Sequence, residues 1–295
     1  MKHHHTKIVQ SAAFEEAKRS SSLQKAAIQI DWAENDEIQL AHWHQRQESI
    51  FTVCCWMLGS NTQSAVVISD NLSHDTLTSS VSLVLALEMF LRDSTDCQSL
   101  HIFSDGPASQ FKNRYILSLL PTLRTNFSMQ QVRWSFFASS HGKGPVDGVG
   151  AVAKRLVWQS VRNRECIVKD ASTFGEALSK AASNLRVILA TEEEQNRIEE
   201  KLGMNVVFAT GPPAHGVSSD HDWLCASTGV ERSSFTQLPS ISTISPLSVS
   251  TETQMQPCAS SVVSEFQYFR WEYPNEIFCY GIMLKIIHVF AAGTF

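Results

Sequence analysis

Residues 100–114 read LHIFSDGPASQFKNR, and the fold turns on how that stretch divides. LHIFSD is short, apolar and partly β-branched, and ends in an acid before a Gly-Pro turn, so it reads as a strand running out at Asp105. Phe111, Tyr115 and Leu119 recur at i, i+4 and i+8 beyond the turn, which predicts a helix. Upstream the pattern differs. IQIDWA (28–33), IFTVCCWML (50–58) and SAVVIS (64–69) are three strands separated by polar turns with no helical period between them, an antiparallel meander. Thr76–Asp93 is a helix apolar on more than one side. Downstream, VRWSFFAS (132–139) is a further strand, followed by a glycine turn and a helix with Val149, Val152, Ala153 and Leu156 on one stripe. The order βββαβαβα changes from meander to crossover at Asp105, so the expected object is an α/β domain with a mixed five-stranded sheet flanked by helices.

The glycine turn itself, SSHGKGPVDGVG at 139–150, holds four glycines around a single carboxylate, Asp147. Glycines this dense predict positive φ or a close backbone approach. Two more acids stand at strand positions, Asp31 in IDWAEN and Asp105 in FSDGPASQFKNR. Ligands collect at the carboxyl ends of strands in open α/β sheets. A first strand beside the fourth would bring Asp31 to Asp105, and the turn would deliver Asp147. Three carboxylates repel one another unless a divalent cation neutralises them. Oxygen-only ligation suits Mg²⁺ or Mn²⁺, and a two-metal site of this kind serves phosphodiester chemistry. Taken singly, each aspartate reads as a turn or cap residue; the ordered set of three reads as a site.

The blocks IDWAEN, FSDGPASQFKNR and SHGKGPVDGVG, in this order, resemble uncharacterised animal proteins derived from DDE/D transposases with a ribonuclease H-like catalytic core. The likeness spans roughly residues 10–159. It implies strand order 3-2-1-4-5, Asp31, Asp105 and Asp147 as catalytic, metal-binding triad, and nucleic acid, DNA in the first place, as partner in the nucleus. Ala151 stands where a further glycine is expected. Two functions follow: a metal-dependent polynucleotidyl transferase or nuclease, or a domesticated, catalytically inactive nucleic-acid-binding or interaction protein. The intact aspartates favour the first. No zinc finger or helix-turn-helix precedes Asp31, which favours the second and reads as a truncated element. A homo-oligomer is compatible with either.

Around the triad, Lys112, Arg114 and Lys143 are candidate phosphate contacts. Glu34 is an accessory metal ligand or an exposed turn acid, and His141 positions water or phosphate or stabilises the turn. Lys154 and Arg155 read as a solvated helix face. The GKG of the turn lacks the following Ser or Thr of a P-loop.

Composition sets the outer bounds. The 295 residues are 43% apolar and 18% charged with a formal charge of −5, enough for a real core and against a wholly basic surface. Seven cysteines without any C-x-x-C spacing read as reduced thiols in an intracellular protein rather than a zinc framework. The expected organisation is an N-terminal extension (1–27) with a solvated end, the core (28–165), flanking helices and a small strand NVVFAT (166–210), a disordered Ser/Thr/Pro-rich linker (211–265) and an apolar tail (266–295). Thr191 with Glu194 marks a helix start and Gly203 its end. The tail is interrupted by Lys285 and His288 and is not expected to span a membrane.

Overall fold

The computed structural model describes residues 2–38, 46–58, 61–92, 96–137, 144–210, 221–227 and 229–232. The elements in chain order are α1 (Lys2–Arg19), β1 (Lys25–Ile38), β2 (Arg46–Leu58), β3 (Asn61–Ser69), α2 (Thr76–Leu91), β4 (Ser99–Ser104), α3 (Arg114–Asn126), β5 (Gln131–Phe136), α4 (Pro145–Arg162), α5 (Ala171–Ala181), β6 (Leu185–Leu189), α6 (Glu192–Leu202), α7 (Met204–Thr210), β7 (Asp222–Ala226) and β8 (Gly229–Arg232).

The strands form one mixed α/β sheet in the order β6-β3-β2-β1-β4-β5-β7-β8. Its middle is the order 3-2-1-4-5 that the resemblance implied, with β1, β2 and β3 antiparallel and β1, β4 and β5 parallel. The expected count of five strands was too low. β6 adds in parallel to β3 at one edge, and β7 with β8 adds antiparallel to β5 at the other.

Side chains alternate across the sheet with the period of two that a strand imposes. Ile28, Ile30, Phe51, Val53, Val67 and Ile102 point to one face, where α2, α3 and α6 cover them. Ile50, Val66 and Ile68 point to the other, under α4 and α5. On that second face Ala27, Cys54, Trp56 and Phe103 meet Phe14 of α1 and Val146 of α4. Both faces are therefore dry, which is why β1, β2 and β3 read as near-continuous apolar runs.

Local signals explain the helix ends. Asp75 caps α2 by accepting the Thr78 N–H at 2.9 Å, and Asn113 caps α3 by accepting from Tyr115 and Ile116. Phe111 thus precedes α3 rather than riding on it, and packs fully buried against Phe51 and Trp134. Thr191 opens α6 and Gly203, at φ +56°, closes it as expected.

Four other expectations are corrected. The chain before residue 27 is not a solvated extension throughout: α1 occupies it, with Phe14 wedged among Trp56, Phe103 and Phe137 and the Gln10 amide donating to Phe136 O at 2.8 Å. Leu185, which its spacing from Phe174, Ala177, Leu178 and Ala181 predicts on the same helix, opens β6 instead, because the Ala182 end of α5 is extended. NVVFAT is helical, part of α7, where Phe208 meets Tyr115 of α3. The span 211–265 contains the β7–β8 hairpin, which joins the sheet because Trp223 and Cys225 are buried and Asp222 pairs with Arg133. The tail and the remaining linker lie outside the described residues. Among the described residues no helix is long and apolar enough to cross a membrane.

Candidate functional site

The β1–β4 ladder ends at the pair Gln29–Phe103. Two residues further along stand Asp31, still within β1, and Asp105, the first residue past β4. By alternation Asp31 shares its face with Ala27 and Ala33, and Asp105 follows Phe103, so both carboxylates belong to the α1/α4 face. β1 continues past this point on β2 alone, where Asp31 pairs with Thr52 and the Thr52 hydroxyl donates to Asp31 O at 2.9 Å. The parallel partner has run out, and the gap beside β1 is the site.

α4 crosses above that gap, and its glycines set how closely. A Cβ on Gly144 would overlap the buried Gln29 amide, and one on Gly150 would lie 2.9 Å from Ala33 Cβ and 3.4 Å from Thr52 Cγ2. Both contacts are on β1 or β2 beside Asp31. A glycine at each position lets the helix backbone rest against the strands. Gly148, by contrast, faces open space. Asp147 lies between the two contacts, in the first turn, and its Oδ2 accepts the Gly144 N–H at 2.8 Å. It therefore helps to close the helix start while remaining exposed.

Asp31 and Asp105 feel the neighbouring acids. Burial, then the charge of Asp105, and less strongly that of Asp147, raise the Asp31 pKa from 3.8 to about 7, against the opposing hydrogen bond from the Trp32 N–H. Burial and the Asp147 charge push Asp105 up to about 6. Asp105 Oδ1 is buried with no hydrogen-bond partner among the described residues. A buried carboxylate oxygen left without a donor is the situation a cation relieves. The residues therefore fit a divalent ion held by oxygen. Among the described residues no group of three or more His, Cys, Asp or Glu side chains stands where it could hold a metal ion. Mg²⁺ is commonly held by one or two carboxylates with water completing the shell.

The other expected site residues separate. Lys112 is buried, with its ammonium 3.4 Å from His221 Nδ1 and its stem beside Gly106. Arg114 is exposed at the start of α3, its guanidinium 4.7 Å from the ring of Tyr115. Glu34 falls within β1, but its side chain lies outside the described residues, as do His141 and Lys143.

A polar chain that the sequence reading did not pick out crosses β4, β5 and β7. His101 Nε2 is 2.7 Å from Ser135 Oγ, Ser135 donates to Asp222 Oδ1 at 2.7 Å, and Asp222 pairs with Arg133 through both guanidinium arms. Burial and the Arg133 charge hold His101 well below the ordinary histidine range, so its imidazole is neutral. Arg133 and Ser135 at i, i+2 in an apolar strand were the available signal, one polar face on β5.

Fold and site together define a mixed α/β domain with an acidic cluster where its central parallel pair ends. Residues 10–230 match the family described as "Domain of unknown function (DUF8701)", and the chain belongs to that family. No curated protein and no solved structure matches it.

Proposed function

We propose that this protein is a transposase-derived, metal-dependent polynucleotidyl transferase or nuclease with a ribonuclease H-like core. The observation that carries the reading is the convergence of Asp31, Asp105 and Asp147 from β1, the end of β4 and the start of α4, close enough for their charges to raise the pKa of Asp31 and Asp105. The strand order 3-2-1-4-5 within the sheet supports the core assignment, and the blocks that resemble DDE/D transposases carry these same three acids.

Asp31, Asp105 and Asp147 are the residues that would hold Mg²⁺ or Mn²⁺, which when bound polarises a phosphodiester and lowers the pKa of water. The chain's own part is positional. β1 carries one carboxylate and the turn that leaves β4 the next, while Gly144 and Gly150 seat the helix that carries the third. Burial keeps Asp31 and Asp105 largely dry, which strengthens their hold on a cation. The partner is nucleic acid and the location nuclear, both from the resemblance. Of the outlying lysines and arginines, Arg114 is the exposed candidate for a phosphate contact, whereas the burial of Lys112 favours a structural role.

The test is cleavage or strand transfer of DNA and RNA in Mn²⁺ by wild type and Asp105→Asn. Activity lost in the variant supports the assignment. Equal activity in both removes the triad, and binding without turnover in either leaves the domesticated, inactive protein as the function.

A further inference from the structure

The outer face of α4 carries a second feature. At 3.6 residues per turn, Asp147, Ala151, Arg155, Trp158 and Arg162 fall within a sector of roughly 80°. All five are exposed, with Trp158 at 54%. One stripe thus runs from the acidic cluster along the whole helix. Apart from Asp147 at its head, α4 has no acidic residue. Arg155 makes no ion pair among the described residues, and the Arg162 guanidinium stands 5.1 Å from the Trp158 ring.

The exposed indole thus stands on one stripe between two arginines. The arginines match a polyanion, and an aromatic face matches an unpaired base. The distance also suits that occupant. Trp158 lies eleven residues from Asp147, about 16 Å along the axis, which is about five stacked nucleotides at 3.4 Å each. Ala151 leaves the stretch between low, so a strand can lie against the helix.

We propose that the Arg155–Trp158–Arg162 stripe of α4 docks single-stranded nucleic acid and leads it to the Asp31–Asp105–Asp147 cluster. The proposal rests on the phosphodiester reading of that cluster and adds the strandedness of the substrate and its path. It reverses the reading of Arg155 as a merely solvated residue. Trp158 stacks on a base, and Arg155 and Arg162 contact phosphates on either side.

The experiment is fluorescence anisotropy of the full chain with a fluorescein-labelled oligothymidylate in EDTA, repeated with a duplex of the same length. Wild type should prefer the single strand. Trp158→Ala should weaken binding about tenfold and Trp158→Phe much less. Arg155→Ala with Arg162→Ala should flatten the salt dependence of log K by about 1.4, two contacts at about 0.7 each. Unchanged thermal melting verifies that these exposed substitutions leave the fold intact. The proposal is overturned if wild type does not bind, if the variants bind as wild type does, or if duplex is preferred and insensitive to Trp158→Ala. A dimer that Trp158→Ala dissociates, seen by sedimentation, overturns it too, since a second copy would then cover the stripe. Mn²⁺-dependent cleavage that Asp105→Asn abolishes, with binding indifferent to the stripe, removes the stripe alone. Stripe-dependent binding with cleavage indifferent to Asp105→Asn removes the catalytic reading alone.

Discussion

Asp31 is held where its charge is unwelcome, and that makes it a reporter. Its folded pKa, about 7, lies above the unfolded value near 3.8, so between those values the folded state binds more protons than the unfolded one. Stability then falls as pH rises through that window, and Asp105, raised to about 6, adds to the same slope. In EDTA the wild type should therefore melt at progressively lower temperature from pH 4 to 7. Asp31→Asn should flatten that profile and melt higher than wild type at pH 7.5, since the amide carries no charge to bury. A pH profile that Asp31→Asn leaves untouched would remove the strained carboxylate. Gly150 makes a second case at this scale. Gly→Ala inside a helix ordinarily stabilises by about 1 kcal/mol. Here the new methyl meets Ala33 Cβ at 2.9 Å, a rigid neighbour, and overpacking of this kind costs about 1–3 kcal/mol. Gly150→Ala should lower stability in chemical denaturation despite its better propensity, whereas Gly148→Ala, facing open space, should raise it.

Among the elements, β7 is tied to the sheet by a side-chain pair as well as by its ladder. It lies between β5 and the short β8, and its first residue, Asp222, buries its side chain while accepting from Arg133 and Ser135. Asp222→Ala removes the carboxylate that pairs with the partly exposed Arg133 and accepts from Ser135. Breaking a fully buried pair costs about 3–5 kcal/mol, and the partial exposure of Arg133 brings this one to about 2 kcal/mol. Hydrogen exchange should show the β5–β7 amides losing protection first, while β1 and β2 remain protected. The same strand shows why part of the fold was hidden in the sequence. β1 to β5 declare themselves by runs of β-branched and aromatic residues, whereas their order was implied by the resemblance rather than by the pattern itself. β7 is five residues, DWLCA, set in a stretch dominated by Ser, Thr and Pro, and its reason to be a strand is the tertiary bond from Arg133, ninety residues earlier in round terms. α7 erred in the opposite sense. NVVFAT has strand-like composition, but Gly203 turns the chain directly from α6 into another helix that packs on α3. Asp105 and Asp147 were legible because each stands at a junction of elements, whereas Asp31 interrupts an apolar strand that runs on to Ile38. The His101–Ser135–Asp222 chain was not legible, since it is assembled from three strands and no single segment carries its pattern.

For the molecule as a whole, the acidic cluster couples folding to cations. A ligand that binds only the folded state stabilises it by RT ln(1 + [L]/Kd), about 2.7 kcal/mol at one hundred times Kd. For a unit of this size that is a rise of about 5–10 °C in melting temperature. The gain should grow from pH 5 to 7.5, because an ion must displace the protons that Asp31 and Asp105 retain at low pH. Mg²⁺ or Mn²⁺ should give it, while the same ionic strength of KCl should not, since screening at a distance is a much weaker effect than ligation. Asp147 is the discriminating position, having two duties. It accepts the Gly144 N–H at the start of α4 and lends its charge to the cluster. Asp147→Asn keeps an acceptor for that N–H and removes the charge, so the apo protein should melt no lower than wild type while the metal-induced rise shrinks by more than half. Asp147→Ala removes both, and should melt lower without metal by the loss of one capping bond, about 1 kcal/mol. If Asn and Ala behave alike and the metal-induced rise survives in both, Asp147 serves only the helix start, and the ion is held by Asp31 and Asp105 without it.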